Sequence, residues 1–372
     1  MKVTFLCASL ESGRDGVGDY SRRLAGELIK QHFSASIVAF NDRHSSVIFS
    51  GTQNQDGIAI PVLRLPAMLG YKEKITAVKA HLENFKPEWV SLQYVPYAFN
   101  IKGIPFSFIY HLKKLSGNHK WHIMFHETWV GITKLSPVKH KITGFFQRKA
   151  ASYLVKSMKP LRISTSNRLY QLVLESAGIH PFILPLFSNI PLTGPADNFQ
   201  NYVKGRLDVK LLANSGYTSY TYIGIFGSLY PEANLESIIS SESKLARSYN
   251  KKLAFIAFGR TKDSNEFNRL KNLFEREVTF LHLGELSEDE VSATMQLLDK
   301  AISCTPLQHI GKSGVYAAMR LHNVQVLLPV SDFIPEYNKE ILEYNEYLAG
   351  RKDYEWDVVF VANQFVQFLN TP

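Results

Sequence analysis

The stretch MKVTFLCASLESGRDGVGDYSRRLAGEL, residues 1–28, decides the fold. Its apolar run over 3–8 has strand length and stops at a polar loop that holds Gly13, Gly16 and Gly18. A basic, amphipathic pattern of helical period follows over 19–31. Strand, glycine loop and helix form the opening unit of a doubly wound parallel sheet, whose ligands sit at the strand carboxyl ends. Glycine permits positive backbone angles and close approach by a ligand. With Asp19 beginning the helix, its exposed amides and dipole suit a phosphate or a sugar hydroxyl. The alternative is an ordinary strand-to-helix turn. The glycine spacing is not the dinucleotide fingerprint, and only Asp42 stands near the next strand end, which sets aside a nicotinamide oxidoreductase.

Working outward, the same alternation continues. Strand-like runs at 35–40, 89–94, 121–126, 162–165 and 182–186 are separated by helix-like runs at 72–85, 105–115, 139–156 and 166–177. Between 186 and 220 the pattern dissolves into SNIPLTGPADNFQNYVKG, which reads as a linker with little regular structure. It restarts with strands at 222–226, 253–258, 278–281, 300–303 and 324–328, and helices at 234–247, 265–275, 287–298, 313–321 and 335–344. Ser287 and Glu290 have capping-box spacing. The segment YEWDVVFVANQFVQFL reads as a long terminal helix. A chain of 372 residues exceeds what one core supports. The expected architecture is α/β, with two doubly wound Rossmann-like domains in tandem.

The net charge is +9, and it is regional. No acidic residue stands between Glu127 and Glu175, while Lys134, Lys139, Lys141, Arg148, Lys149, Lys156, Lys159, Arg162 and Arg168 do. Such a field favours phosphates or anionic headgroups, or else is a solvated helix face. No nucleic-acid-binding motif accompanies it, so nucleic acid is not an expected partner. Two distant cysteines, Cys7 and Cys304, suit a reducing cytoplasm. The start has no signal-peptide pattern, and no apolar run reaches bilayer length. A soluble cytoplasmic protein is expected, resting peripherally at the inner membrane face through the interval 134–168.

Three further motifs lie at expected strand ends. In WHIMFHETWVG, His126 and Glu127 close a strand, where a histidine can bond a hydroxyl or phosphate or act as acid or base. His122 and His126 share a strand face, but no cysteine or further acid completes a zinc set. In QHIGKSGVYAAM, the run Gly311, Lys312, Ser313, Gly314 offers an anion cradle, though it is too short for a P-loop. Gly227 and Ser228 repeat the opening logic in the second half, and Gly284 and Glu285 stand where a nucleobase would rest on backbone. Nucleophile-elbow signatures are absent.

Taken in order, these residues resemble the retaining glycosyltransferases of the GT-B fold, particularly family four. GVGDYSRRLAGEL is similar to that family's amino-terminal glycine loop, FHETWVG to its histidine strand and RISTSNRLYQLV to its next strand and helix. YIGIFGSLYP, FLHLGELSEDEVSATMQLLDKAISCTP with Asp299, and GKSGVYAAMRLHNVQVL resemble its second-domain segments. The resemblance covers nearly the whole chain. It implies two domains facing across a cleft: 1–205 on the acceptor side, 206–352 on the donor side, and 353–372 as a helix returning to the first.

The implied activity moves a sugar, with retention, from a nucleotide-diphosphate sugar to an acceptor hydroxyl, as in cell-surface polysaccharide or glycolipid assembly. The expected partners are therefore a nucleotide sugar and a saccharide or lipid-linked saccharide acceptor. The nucleotide sugar is a co-substrate; no cofactor and no metal are implied. His126 and Glu127 take the catalytic places. Gly16, Val17, Gly18, Asp19, Gly227, Ser228, Arg260, Lys312, Ser313 and Gly314 hold the diphosphate and sugar, and Gly284, Glu285 and Leu286 receive the base. Two departures stand out. Ile310 and Ala318 occupy the family's usual glutamate positions, and Ser228 with Ala233 or Asn234 replaces its arginine and lysine. Either this branch has its own diphosphate clamp, or it is a binding-only copy acting as a partner of other transferases.

Overall fold

The computed structural model describes residues 1–117, 119–194, 197–212, 216–260, 265–331, 333–335 and 337–371. Contacts divide the chain into two compact units, Met1–Asn189 with Ile334–Leu348 and Val358–Pro372, and Ile190–Phe333 with Ala349–Asp357.

The first unit holds strands β1 (Lys2–Cys7), β2 (Ser34–Asp42), β3 (Phe49–Gln55), β4 (Ile58–Pro66), β5 (Trp89–Tyr94), β6 (Lys120–Phe125), β7 (Arg162–Thr165) and β8 (Phe182–Ile183). They form one sheet in the order β3-β4-β2-β1-β5-β6-β7-β8. All pairings are parallel except β3 with β4, a hairpin at the edge. That hairpin lies where no strand is expected from the sequence. FSGTQNQ is polar and largely exposed, so it carries no hydrophobic alternation. The sheet is covered on both faces. One core gathers Leu6, Val38, Leu92 and Phe125 beneath helices on that side. The other gathers Val3, Phe5, Ile37 and Trp89 with the terminal helix Val358–Asn370, through Val361, Phe365 and Leu369. Phe5 and Phe365 stack with ring centroids 5.7 Å apart.

The second unit holds β9 (Ser219–Phe226), β10 (Lys251–Phe258), β11 (Val278–Gly284), β12 (Lys300–Ile302) and β13 (Gln325–Leu327), ordered β11-β10-β9-β12-β13 and wholly parallel. The chain winds one way from β9 through β10 to β11 and the other way through β12 to β13, so the switch point lies between β9 and β12. Asp299 Oδ2 accepts a 2.7 Å bond from Tyr222 N, which ties the turn before β12 to β9.

Two expectations are corrected. The linker contains a helix, Asp197–Leu212, whose Val203 and Leu207 are buried in the second unit's core. Its apolar residues Phe199, Val203 and Leu207 recur every four positions, a sparse stripe hidden among polar neighbours. Residues 195–196 and 213–215 of that stretch lie outside the described residues. The first helix begins at Gly16 rather than Asp19, because Asp15 caps it. The capping box is present as expected, with Ser287 N donating to Glu290 Oε2 at 2.9 Å. No helix among the described residues is long and apolar enough to cross a membrane.

Candidate functional site

In the first unit the glycine loop is held by its own side chains. Asp15 Oδ1 accepts from Val17 N and Gly18 N, both at 2.9 Å, which fills the amides at the start of the helix. Asp19 accepts from Gly13 N and from Arg22, and burial raises its carboxyl above the usual range despite those bonds. Gly16 has open space at its Cβ position, whereas Gly18 does not: a Cβ there would stand 2.4 Å from the Ser9 carbonyl oxygen. Close approach at Gly18 is therefore by the chain's own strand end. Gly18→Ala is expected to destabilise the first unit by about 1–3 kcal/mol, read as a lower urea midpoint at unchanged slope.

Asp42 also serves this loop. It is fully buried and accepts from Ser9 Oγ, Leu10 N, His44 N and Arg64 Nε. Burial would raise its pKa, but those bonds and the Arg64 charge outweigh burial and hold it low.

His126 follows β6 and is 8% exposed. Its Nε2 donates to Gln93 Oε1 at 2.8 Å, and its ring meets Tyr20 edge-on at 5.0 Å. Behind it runs a buried chain of bonds across three strands. Gln93 Nε2 donates to Ser91 Oγ (2.7 Å), Ser91 bonds His122 Nδ1 (2.8 Å), and His122 Nε2 bonds Ser164 Oγ (2.7 Å), which donates to Met124 Sδ. Since Ser164 gives its proton to sulfur, His122 donates through Nε2 and accepts through Nδ1. Both His122 nitrogens are thus occupied, which removes it as a metal ligand. Burial pushes both imidazoles down to about 3, so both are neutral at physiological pH. Glu127 beside His126 is half-buried.

In the second unit a pocket of about 540 Å³ opens at the carboxyl ends of β9, β12 and β13, at the switch point. Gly227, Ser228 and Lys312, named separately from the sequence, all line it. Ala233 lines it too, so the places where the resembling family carries cations are neutral here. Lys312 is the single Lys or Arg among the described lining residues.

Sequence reasoning missed Ser303, Cys304 and His309, which reach the pocket from the end of β12 and the turn beyond it. The signal for Ser303 and Cys304 was the polar end of the run AISCTP. Ser303 is 1% exposed and its Oγ has no hydrogen-bond partner among the described residues, so a bound polar group would satisfy it. Burial, then the Lys312 charge, pushes His309 down to about 3, which makes it a neutral donor or acceptor. Burial raises the Cys304 thiol to about 11, too high for a thiolate nucleophile at neutral pH.

The other sequence candidates stand nearby or serve the fold. Ser313 caps the helix Gly314–Leu321 by accepting from Tyr316 N, takes a bond from Thr305 Oγ1, and gives its own amide to Ile310 O. An anion cradle here would therefore rest on the Lys312 ammonium and not on the Ser313 amide. Gly314 opens that helix behind the pocket-lining Lys312. Arg260 pairs with Glu285 at 2.6 Å, at the ends of β10 and β11, away from the pocket lining. Gly227, Gly259 and Gly284 end three adjacent strands with φ of 91°, 84° and 74°. They are linked by Gly227 N to Phe258 O and Gly259 N to Gly284 O. Space is open above Gly227 and Gly284. Leu286 packs on the core. Ile310 is 2% exposed, and Ala318, in the second unit's core, is 1% exposed.

No protein-family model and no curated protein matches this sequence. Solved structures do match it along their length. An α,α-trehalose-phosphate synthase (UDP-forming) from Burkholderia xenovorans, in complex with glucose-6-phosphate, aligns with a TM-score of 0.54 at 10% identity over 100% of both chains. The catalytic domain of starch synthase IV from Arabidopsis thaliana, bound to ADP and acarbose, aligns with a TM-score of 0.51 at 10% identity over 99% and 98%. The chain has the GT-B fold. The GT-B fold also includes a UDP-GlcNAc 2-epimerase from Methanocaldococcus jannaschii, similar here at a TM-score of 0.50 and 10% identity over 99% of both chains. At such identities the likeness establishes the GT-B architecture, and function has to be argued from the site.

Proposed function

We propose that this chain is a glycosyltransferase that moves a sugar, with retention, from a nucleotide-diphosphate sugar to an acceptor hydroxyl in polysaccharide or glycolipid assembly. The observation that carries this reading is the switch-point pocket of the second unit. It combines one cation, Lys312, with the partnerless buried hydroxyl of Ser303 and the half-buried Ser228. A departing diphosphate needs fixed donors more than it needs a nucleophile. Lys312 would neutralise the leaving charge, with Ser228 and Ser303 bonding its oxygens. In this reading donor binding belongs to the second unit and acceptor binding to the first, where His126 and Glu127 would take the catalytic places. His126, neutral and fixed through Gln93, would orient a hydroxyl through Nδ1.

A thermal-shift screen of nucleoside diphosphates and their sugars tests the reading. Stabilisation by at least one, with release of its diphosphate in the presence of saccharide acceptors, is expected; the absence of any stabilising nucleotide would overturn it. Tight binding without turnover would favour the second reading, a non-catalytic GT-B partner protein. What favours that reading is the neutral Ser228 and Ala233 in the pocket and the burial of the uncharged Ile310 and Ala318.

The acceptor would be presented at an anionic membrane surface. Support comes from the helix Val138–Met158, which exposes Ile142, Phe145, Phe146 and Tyr153 among Lys139, Lys149 and Lys156. Sedimentation with anionic vesicles that falls away as salt rises is expected; partitioning insensitive to both salt and lipid charge would refute it.

A further inference from the structure

The first unit carries a second cavity, of about 400 Å³, that the reading above does not use. Its wall is the loop after β6, the helices Val138–Met158 and Arg168–Glu175, and the residues Pro335 and Tyr337. Lys134, Lys141 and Arg148 converge on it, and no carboxylate stands among its described lining residues. Like charges placed this close repel unless an anion joins them.

Two of the three cations are held in place. Lys141 Nζ donates to Lys134 O at 2.9 Å. Arg148 donates to Ser176 O, with its guanidinium over the Trp129 ring, 6.0 Å from the centroid. The loop is equally fixed, because it sits in a notch that glycine makes. A Cβ on Gly144 would stand 2.0 Å from Val130 O, and one on Gly131, at φ 79°, would stand 2.7 Å from His140 O. Val130 N donates to Gln147 Oε1 at 3.0 Å. Leu169 and Val173 add apolar surface to the lining. A rigid concave site with three cations and an apolar wall suits a phosphate ester, its oxygens on the cations and its body on the wall.

We propose that this cavity is a phosphate-ester site separate from the donor pocket, taking either a free sugar phosphate or the phosphate-monoester headgroup of a lipid. It stands independently of the reading of the second unit. The test keeps the two apart by using the full chain carrying Lys312→Ala throughout. Calorimetry with inorganic pyrophosphate and with glucose 6-phosphate is compared with sedimentation on phosphatidylcholine vesicles containing phosphatidic acid or, as a charge control, phosphatidylserine.

Saturable binding that weakens about tenfold or more in Lys141→Ala is expected, Lys141 being exposed. Arg148→Ala is a second probe. Binding of glucose 6-phosphate identifies a free phosphate ester as the source, with pyrophosphate as the control for a bare anion. Lys141-dependent binding to phosphatidic acid, over phosphatidylserine, identifies a headgroup. The proposal is overturned if neither form binds, or if binding is unmoved by both substitutions. It is equally overturned if vesicle binding depends on Phe145 and Phe146 but not on Lys141.

Discussion

Lys312→Ala is expected to weaken nucleoside-diphosphate binding by about 10–100-fold while leaving the thermal midpoint of the unliganded protein nearly unchanged. The size follows from the loss of a charge-assisted bond, about 1.5–3 kcal/mol. Two features push the effect toward the upper end. Lys312 is the single Lys or Arg among the described lining residues, and Ser228 and Ala233 cannot take over its charge. His309 does not take over either, because burial, the larger cause of its lowered pKa, remains when Lys312 is removed. In the proposed transfer, charge would build up on the diphosphate as the sugar leaves, so transfer should fall by more than donor affinity does. Lys312→Arg should restore much of both. Calorimetry with UDP and ADP on the two variants measures the first quantity, and release of diphosphate measures the second. A Lys312→Ala protein that binds as tightly as the parent would show that this pocket does not hold the anion.

Much of the architecture was legible in the residue pattern, because parallel strands buried on both faces are short continuous apolar runs. FLHLG, LAFIAF and WVSLQY each announce themselves in this way. What escaped did so for physical reasons. The β3–β4 hairpin lies at a sheet edge, where FSGTQNQ is solvated and shows no alternation. The helix Asp197–Leu212 buries only a thin stripe, and its proline- and glycine-rich surroundings mask it.

The site was legible at single positions and illegible in its partnerships. Lys312 and Ser228 could be named from motifs, yet Ser303 enters the pocket only because β12 lies beside β9. The glycines of the opening loop show the converse. Their spacing suggests room for a ligand, but Gly18 is required by the Ser9 carbonyl and the helix amides are capped by Asp15. Likewise, no spacing along the chain connects Ser91, His122 and Ser164. Strand order alone places β6 between β5 and β7 and makes them neighbours.

That buried chain makes the first unit acid-sensitive well above the carboxylate range. Burial holds His122 and His126 at about 3 in the folded protein, against an ordinary value of 6.5. His122 is surrounded by Ser91, Ser164 and the rings of Phe365 and Phe368, and His126 by Gln93 and Tyr20. None of these neighbours is charged, and His126 lies close enough to His122 to lower it further. Between pH 6.5 and about 3 the unfolded chain binds protons that the folded one refuses, so their stabilising effect is complete above 6.5 and is lost as pH falls. Each histidine contributes a slope of about 1.4 kcal/mol per pH unit, so the pair removes about 4 kcal/mol by pH 5, a large share of the about 5–15 kcal/mol typical of a domain. His81, half-buried against Ser36 and also lowered by burial, acts in the same direction. Asp42 does not contribute in this window, because its carboxyl lies below its ordinary 3.8 and gives up its contribution only in stronger acid. Urea titrations between pH 7 and pH 5, following a probe in the first unit, should show this slope. His122→Gln, although less stable overall, should lower the slope by about one histidine's share. A slope that is the same in the parent, His122→Gln and His126→Gln would mean that these imidazoles are not held neutral by the fold.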